Sequence, residues 1–239
     1  MNRAIRILGP TSILLCVLDV ILGLWVTPDD ENQLEYVRLV YIHPAEAWVA
    51  LYVAIAMAAL CSLLYLWKRT RSLKWDRLAA SAVEVGVVFI LLTLVTGSIW
   101  GRATWGVWWT WDARLTATAL LAVLFLGYIA LRRVPADPET RARRCAAAAL
   151  FAAVDVPIVH FAVNWWNTLH QSATVLNPNL KPRIHGSMAW TLLLSFIAFT
   201  ALFAWMVLLR YRIEVNAHSG EDVELADALA ERRAEGVTS

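Results

Sequence analysis

Apolar residues run through this chain in long unbroken blocks rather than in the short alternations of a soluble fold. Six stretches, 11–27, 44–67, 79–100, 115–134, 145–166 and 186–209, each come close to the ~20 residues that an α-helix needs to cross a bilayer. The blocks lack the period-two alternation of a transmembrane β-barrel. They occupy most of the chain, and nothing is left for a separate soluble domain. The pattern predicts an all-α, polytopic membrane domain over residues 1–209, followed by a charged tail over 210–239. Short polar loops at 68–78 and 132–144 separate blocks, and Pro135 and Pro138 end the fourth. Within the tail, a short surface helix is expected from about Ser219.

Composition agrees with this reading. Of the 239 residues, 59% are hydrophobic and 17% charged, against about 45–50% and about 25% in soluble domains. Charge distribution adds an orientation. Sixteen of the 21 Lys and Arg residues lie before the first block, at 68–77, at 132–144 or after residue 209. The other five are Arg38, Arg102, Arg114, Lys181 and Arg183. The positive-inside rule then puts both termini on the cytoplasmic side and turns 28–43, 101–114 and 167–185 outward. Arg3 and Arg6 before an apolar run resemble a signal peptide, but Asp19 interrupts the run and no small-residue cleavage site follows, so the first span is read as uncleaved. Cys16, Cys61 and Cys145 form no Cys-x-x-Cys pair and read as buried hydrophobes. There is no Gly-x-x-x-x-Gly-Lys phosphate loop, so any ATP-driven step needs another subunit.

The outward segments carry the candidate chemistry. Five tryptophans, Trp100, Trp105, Trp108, Trp109 and Trp111, fall within twelve residues of the loop over 101–114 and its edge. An interfacial aromatic belt accounts for one or two at a boundary, and this excess predicts a platform for a flat ligand. A helical 105–112 would align Trp105, Trp108, Trp109 and Asp112 on one face; an extended one would align Trp105, Trp109 and Trp111. Asp112 is equally a candidate N-cap for the fourth span. Pro44 suits a first helical position, which would make His43 an N-cap, with Glu46 in the first turn. His170 lies just beyond the fifth span, with His185 as its rival, and His160 sits about 9 Å deeper along a helix, read as hydrogen-bonded within the bundle. Two or three histidines suit iron, zinc or copper. Zinc would want further ligands that the outer segments do not offer. Haem fits every part, with axial imidazoles, indole rings for the macrocycle, and Arg102 and Arg114 for the propionates.

The run Trp105-Gly106-Val107-Trp108-Trp109-Thr110-Trp111-Asp112-Ala113-Arg114-Leu115-Thr116 resembles the WWD signature of bacterial haem-handling membrane proteins. With six spans, His43, and Trp165-Trp166-Asn167-Thr168-Leu169-His170-Gln171, the chain resembles the CcmC family of cytochrome c maturation. The resemblance implies haem held at the outer face of the bacterial inner membrane, on the WWD loop. It implies His43 and His170 as axial ligands to the haem iron. Implied partners are haem, the lipid bilayer, a CcmE-like haem chaperone that receives the haem, a CcmA/CcmB ABC complex and a CcmD-like small helical protein. No nucleic-acid partner is expected. Nor is independent catalysis, beyond assistance to covalent haem attachment on the chaperone. Two alternatives stand beside delivery: a haem conduit through the bundle, lined by Asp19, Glu84, Asp155 and His160, and a haem lyase.

Overall fold

A computed structural model describes residues 2–30, 33–170 and 184–237, with side chains described as far as Ala217. Six helical segments are long and apolar enough to cross a membrane, and no strand is formed among the described residues. The protein is therefore an all-α, multi-pass membrane protein, as the apolar blocks predict.

The segments are α1 (Asn2–Trp25), a composite second span, α4 (Leu73–Trp105), α5 (Ala113–Arg133), α6 (Pro138–Trp165) and α7 (Gly186–Val237). The composite span begins with a 3-10 turn over Glu35–Tyr41 and continues as α2 (His43–Trp48). A π-helical stretch over Val49–Ala54 then leads into α3 (Ile55–Leu66). Isolated π turns inside helices are uncommon and gather at functional sites.

Most helices run further than their apolar blocks. At the start of α4 the Ser72 side chain accepts from the Lys74 backbone N–H, and Asp137 caps α6 by accepting from Thr140, with Pro138 in its first turn. These caps extend the helices into polar sequence that hydropathy does not see. The tail is a correction: no new helix starts near Ser219, because the backbone of α7 continues through it to Val237.

α1 packs along α7, and α5 forms an antiparallel hairpin with α6. The Ser195 hydroxyl donates to the buried carboxyl of Asp19 at 2.8 Å and joins the first pair. α3 and α4 fill the middle, around Val83, Ile90, Leu121, Phe125 and Phe203. At the end with the basic loops, Arg132 pairs with Asp76 at 2.8 Å and with Glu214 at 3.5 Å. Arg210 joins the same cluster through Glu84 and Glu214. α6 has almost no direct packing against α7. A cavity opens where they part, since His160 of α6 and Leu193 of α7 both line it.

Candidate functional site

The cavity has a volume of about 880 Å³, within the range of roughly 300–1,000 Å³ typical of small-molecule and cofactor sites. On α7 its wall runs from Leu192 to Ala204, about 18 Å at 1.5 Å per residue. His43, Trp100, Trp105, Arg114 and His170 line it toward the loop end, and Tyr52 and His160 line it deeper. A smaller pocket adjoins it, with His43, His170, Trp105, Trp108, Trp109 and Arg114 in its wall.

His43 is not an N-cap. It is the first residue of α2, Ile42 takes the cap position, and Pro44 follows within the first turn. A proline needs no backbone donor there, so the shift by one residue costs no hydrogen bond. Nδ1 of His43 lies 3.1 Å from the Thr96 hydroxyl, which donates to Glu46 at 2.8 Å. Thr96 has one hydroxyl proton. With that proton given to Glu46, Nδ1–H of His43 is the donor to Thr96, and the free lone pair sits on Nε2. A hydrogen bond of this kind fixes the tautomer and orientation of an imidazole ring. Gly97 stands against the ring: a Cβ there would fall 2.8 Å from Cε1 of His43. Only glycine lets α4 approach this closely.

His170 is held through Asp112. One carboxylate oxygen caps α5 by accepting from the Leu115 N–H at 2.8 Å; the other accepts from the Leu169 N–H at 3.1 Å. Asp112 is therefore the N-cap of α5 and also ties down the segment that carries His170. The His170 ring packs edge-on against Trp105 at 4.8 Å, and its buried Nδ1 has no hydrogen-bond partner among the described residues. Burial, then Arg114, then His43 push the His170 imidazole down to about 3. An unfolded chain's histidine titrates near 6.5. Between about 6.5 and 3 the unfolded state thus binds the extra proton, and this residue's contribution to stability falls as pH drops through that window. The ring signals of His170 in an NMR titration are expected to stay flat from pH 8 to pH 5. A titration midpoint near 6.5 would show an open ring instead.

The tryptophan run is neither helical nor extended throughout. α4 ends at Trp105, Gly106 terminates it with φ +78°, a left-handed conformation suited to glycine, and 107–112 is irregular. The Ser98 hydroxyl ties the loop down by donating to the Trp108 carbonyl at 2.8 Å. The rings accordingly part company. Trp100 meets His43 edge-on at 5.8 Å and donates to Gln33 at 2.7 Å. Trp109 is half-buried and packs edge-on with Trp111 at 5.5 Å, while Trp108 and Trp111 are exposed. Trp111 and Arg102 lie outside both pockets, and Arg102 instead donates to the Gly106 carbonyl at the helix end. His185 is exposed and lines neither pocket, so of the two rivals the geometry gathers His170 with His43.

Of the four residues considered for a conduit, only His160 reaches the cavity. Asp19 is bonded to Ser195 and Glu84 to Arg210, while Asp155 is buried without a hydrogen-bond partner among the described residues. Sequence reasoning missed Thr96, Gly97 and Tyr52. Their partners lie 53, 54 and 108 positions away in the chain, and no local pattern signals such contacts. Among the described residues no group of three or more His, Cys, Asp and Glu could hold a bare metal ion.

A family model described as "Heme exporter protein C" (CcmC) matches residues 1–225. The chain is 38% identical over 220 residues to a "Heme exporter protein C" of Haemophilus influenzae, covering 88% of this chain and 87% of that one. It is 38% identical over 205 residues to a protein of that name from Bradyrhizobium diazoefficiens, covering 85% and 76%. A "Putative cytochrome c biosynthesis ccmC-like mitochondrial protein" of Marchantia polymorpha is 36% identical over 188 residues, covering 77% and 76%.

Proposed function

Because the chain belongs to the CcmC family, we propose that it holds haem at the outer face of the bacterial inner membrane and hands it to a periplasmic haem chaperone. One observation carries this reading: His43 and His170, 127 positions apart in sequence, line the same cavity wall beside Trp100, Trp105 and Arg114. The outward orientation rests on the segregation of basic residues to the opposite side.

The cavity's residues fit haem. The unpartnered Nδ1 of His170 is a buried cost that a bound group would relieve. The Glu46–Thr96–His43 chain leaves Nε2 of His43 unprotonated and ready to ligate. Haem, when bound, supplies an iron that takes two axial imidazoles and an apolar ring that packs on indole edges. His43, seated at the start of a helix and wedged by Gly97, is the stiff ligand. His170 stands on a segment tethered through Asp112, and that tether is the part of the site that yields when haem leaves. The exposed Trp108 and Trp111 give an incoming chaperone an apolar surface beside the bound ring. The CcmA/CcmB complex supplies the ATP-driven step, and a CcmD-like helical protein completes the assembly.

Purified parent protein is expected to carry haem, and the His43→Ala and His170→Ala variants to carry less haem or haem with a shifted Soret band. Unchanged content and spectrum in both variants would defeat the ligand assignment. Replacing Trp105, Trp108 and Trp109 together is expected to lower haem retention while membrane insertion persists.

A further inference from the structure

Arg114 is a guanidinium in the wall of the cavity, and no Asp or Glu joins it there among the described residues. It makes no ion pair with any described residue. Asp112, two positions away in sequence, forms no ion pair with it and accepts instead from the Leu115 and Leu169 N–H groups. A half-buried cation without a partner calls for an anion. Two further polar groups share its surroundings: Tyr52 and His160 both line the cavity.

The phenol oxygen of Tyr52 lies 2.6 Å from Nδ1 of His160. A phenol donates more strongly than it accepts, so its proton goes to Nδ1. The neutral ring then carries its own proton on Nε2 and is a donor rather than an iron ligand. Trp48 holds Tyr52 from one side, with ring centroids 5.4 Å apart, and Phe161 holds His160 edge-on at 4.8 Å. The pair is thus a rigid donor, placed deeper than His43 and His170.

The geometry points to a carboxylate-binding subsite made by Arg114 and the Tyr52–His160 pair, which takes the propionate edge of the porphyrin and sets its orientation within its own plane. This rests on the reading of the cavity as a haem site. The Tyr52–His160 donor lies deeper in the cavity than His43, His170 and Arg114, so the propionate edge it takes points inward while Arg114 holds the charge from the loop end. The vinyl-bearing edge then faces the loop surface that carries the exposed Trp108 and Trp111. His160 thereby gains a role that iron ligation does not require, as a positioning residue.

The test compares two ligands, protohaem and its dimethyl ester, on detergent-purified parent protein and on the Tyr52→Phe and His160→Leu variants. His160→Leu is expected to weaken protohaem about tenfold, the scale of a lost hydrogen bond to a charged group, and Tyr52→Phe, which removes the proton that fixes the His160 tautomer, to weaken it about threefold, while each changes affinity for the ester less than twofold. The Soret band of bound protohaem should not move, because His43 and His170 remain. Tyr52→Phe keeps the ring that packs on Trp48, so it reports even if His160→Leu folds poorly. Equal weakening of both ligands, or of neither, would overturn the subsite while leaving the haem site standing. A parent that binds neither ligand would overturn both.

Discussion

Asp112→Asn is expected to cut haem retention about tenfold while leaving the fold almost unchanged. The reason lies in the division of labour between the two carboxylate oxygens. One accepts from the Leu115 N–H and caps α5; the other accepts from the Leu169 N–H, next to His170. Asparagine caps helices about as well as aspartate, so its single oxygen keeps α5 in place. Its amide nitrogen cannot accept from Leu169, and the segment bearing His170 is released. Losing a hydrogen bond to a charged group amounts to about 1.5–3 kcal/mol, and each 1.4 kcal/mol is about tenfold in affinity; the bond is exposed, so the lower end applies. Asp112→Ala loses the cap as well and is expected to destabilise the protein by about 1 kcal/mol more. Haem affinity by spectroscopic titration, beside thermal unfolding in detergent, separates the two effects. Full retention in the asparagine variant would mean that His170 is held by something else.

The second large effect is expected at the opposite end of the bundle. Asp76→Ala should destabilise the protein by about 3 kcal/mol, because removing one partner of a buried ion pair strands the other. Arg132 has a side-chain exposure of only 10% and loses its 2.8 Å partner, keeping the looser contact to Glu214 at 3.5 Å. α4, α5 and α7 meet at this cluster, so the variant should unfold early without altering the spectrum of whatever haem it retains. The double replacement Asp76→Ala with Arg132→Leu removes the stranded charge and is expected to recover much of the loss. A single variant as stable as the parent would show that water already reaches the pair.

The membrane fold was legible because hydrocarbon imposes its own length on a helix: all six apolar blocks correspond to membrane-crossing segments. Their ends were less legible, since Ser72 and Asp137 cap helices in polar sequence beyond the apolar blocks. His43, His170, Arg114 and the aromatic run stood out by residue type alone. How the run would fold did not, because Gly106 and the Ser98 tether divide it into a helical end and an irregular loop. The hydrogen bonding of His160 within the bundle was legible from its depth in the fifth span, but its partner Tyr52, like Thr96 and Gly97, is a product of packing between distant helices. The π-helical stretch over Val49–Ala54 that carries Tyr52 likewise has no signature in hydropathy.

The central claim is that His43 and His170 are the two axial ligands of one haem. Low-temperature electron paramagnetic resonance of the ferric, haem-loaded protein tests it most directly. The parent should give a low-spin signal of two imidazoles, and His43→Ala and His170→Ala should each convert the haem they retain to high spin. A low-spin signal that survives unchanged when both histidines are replaced would contradict the account.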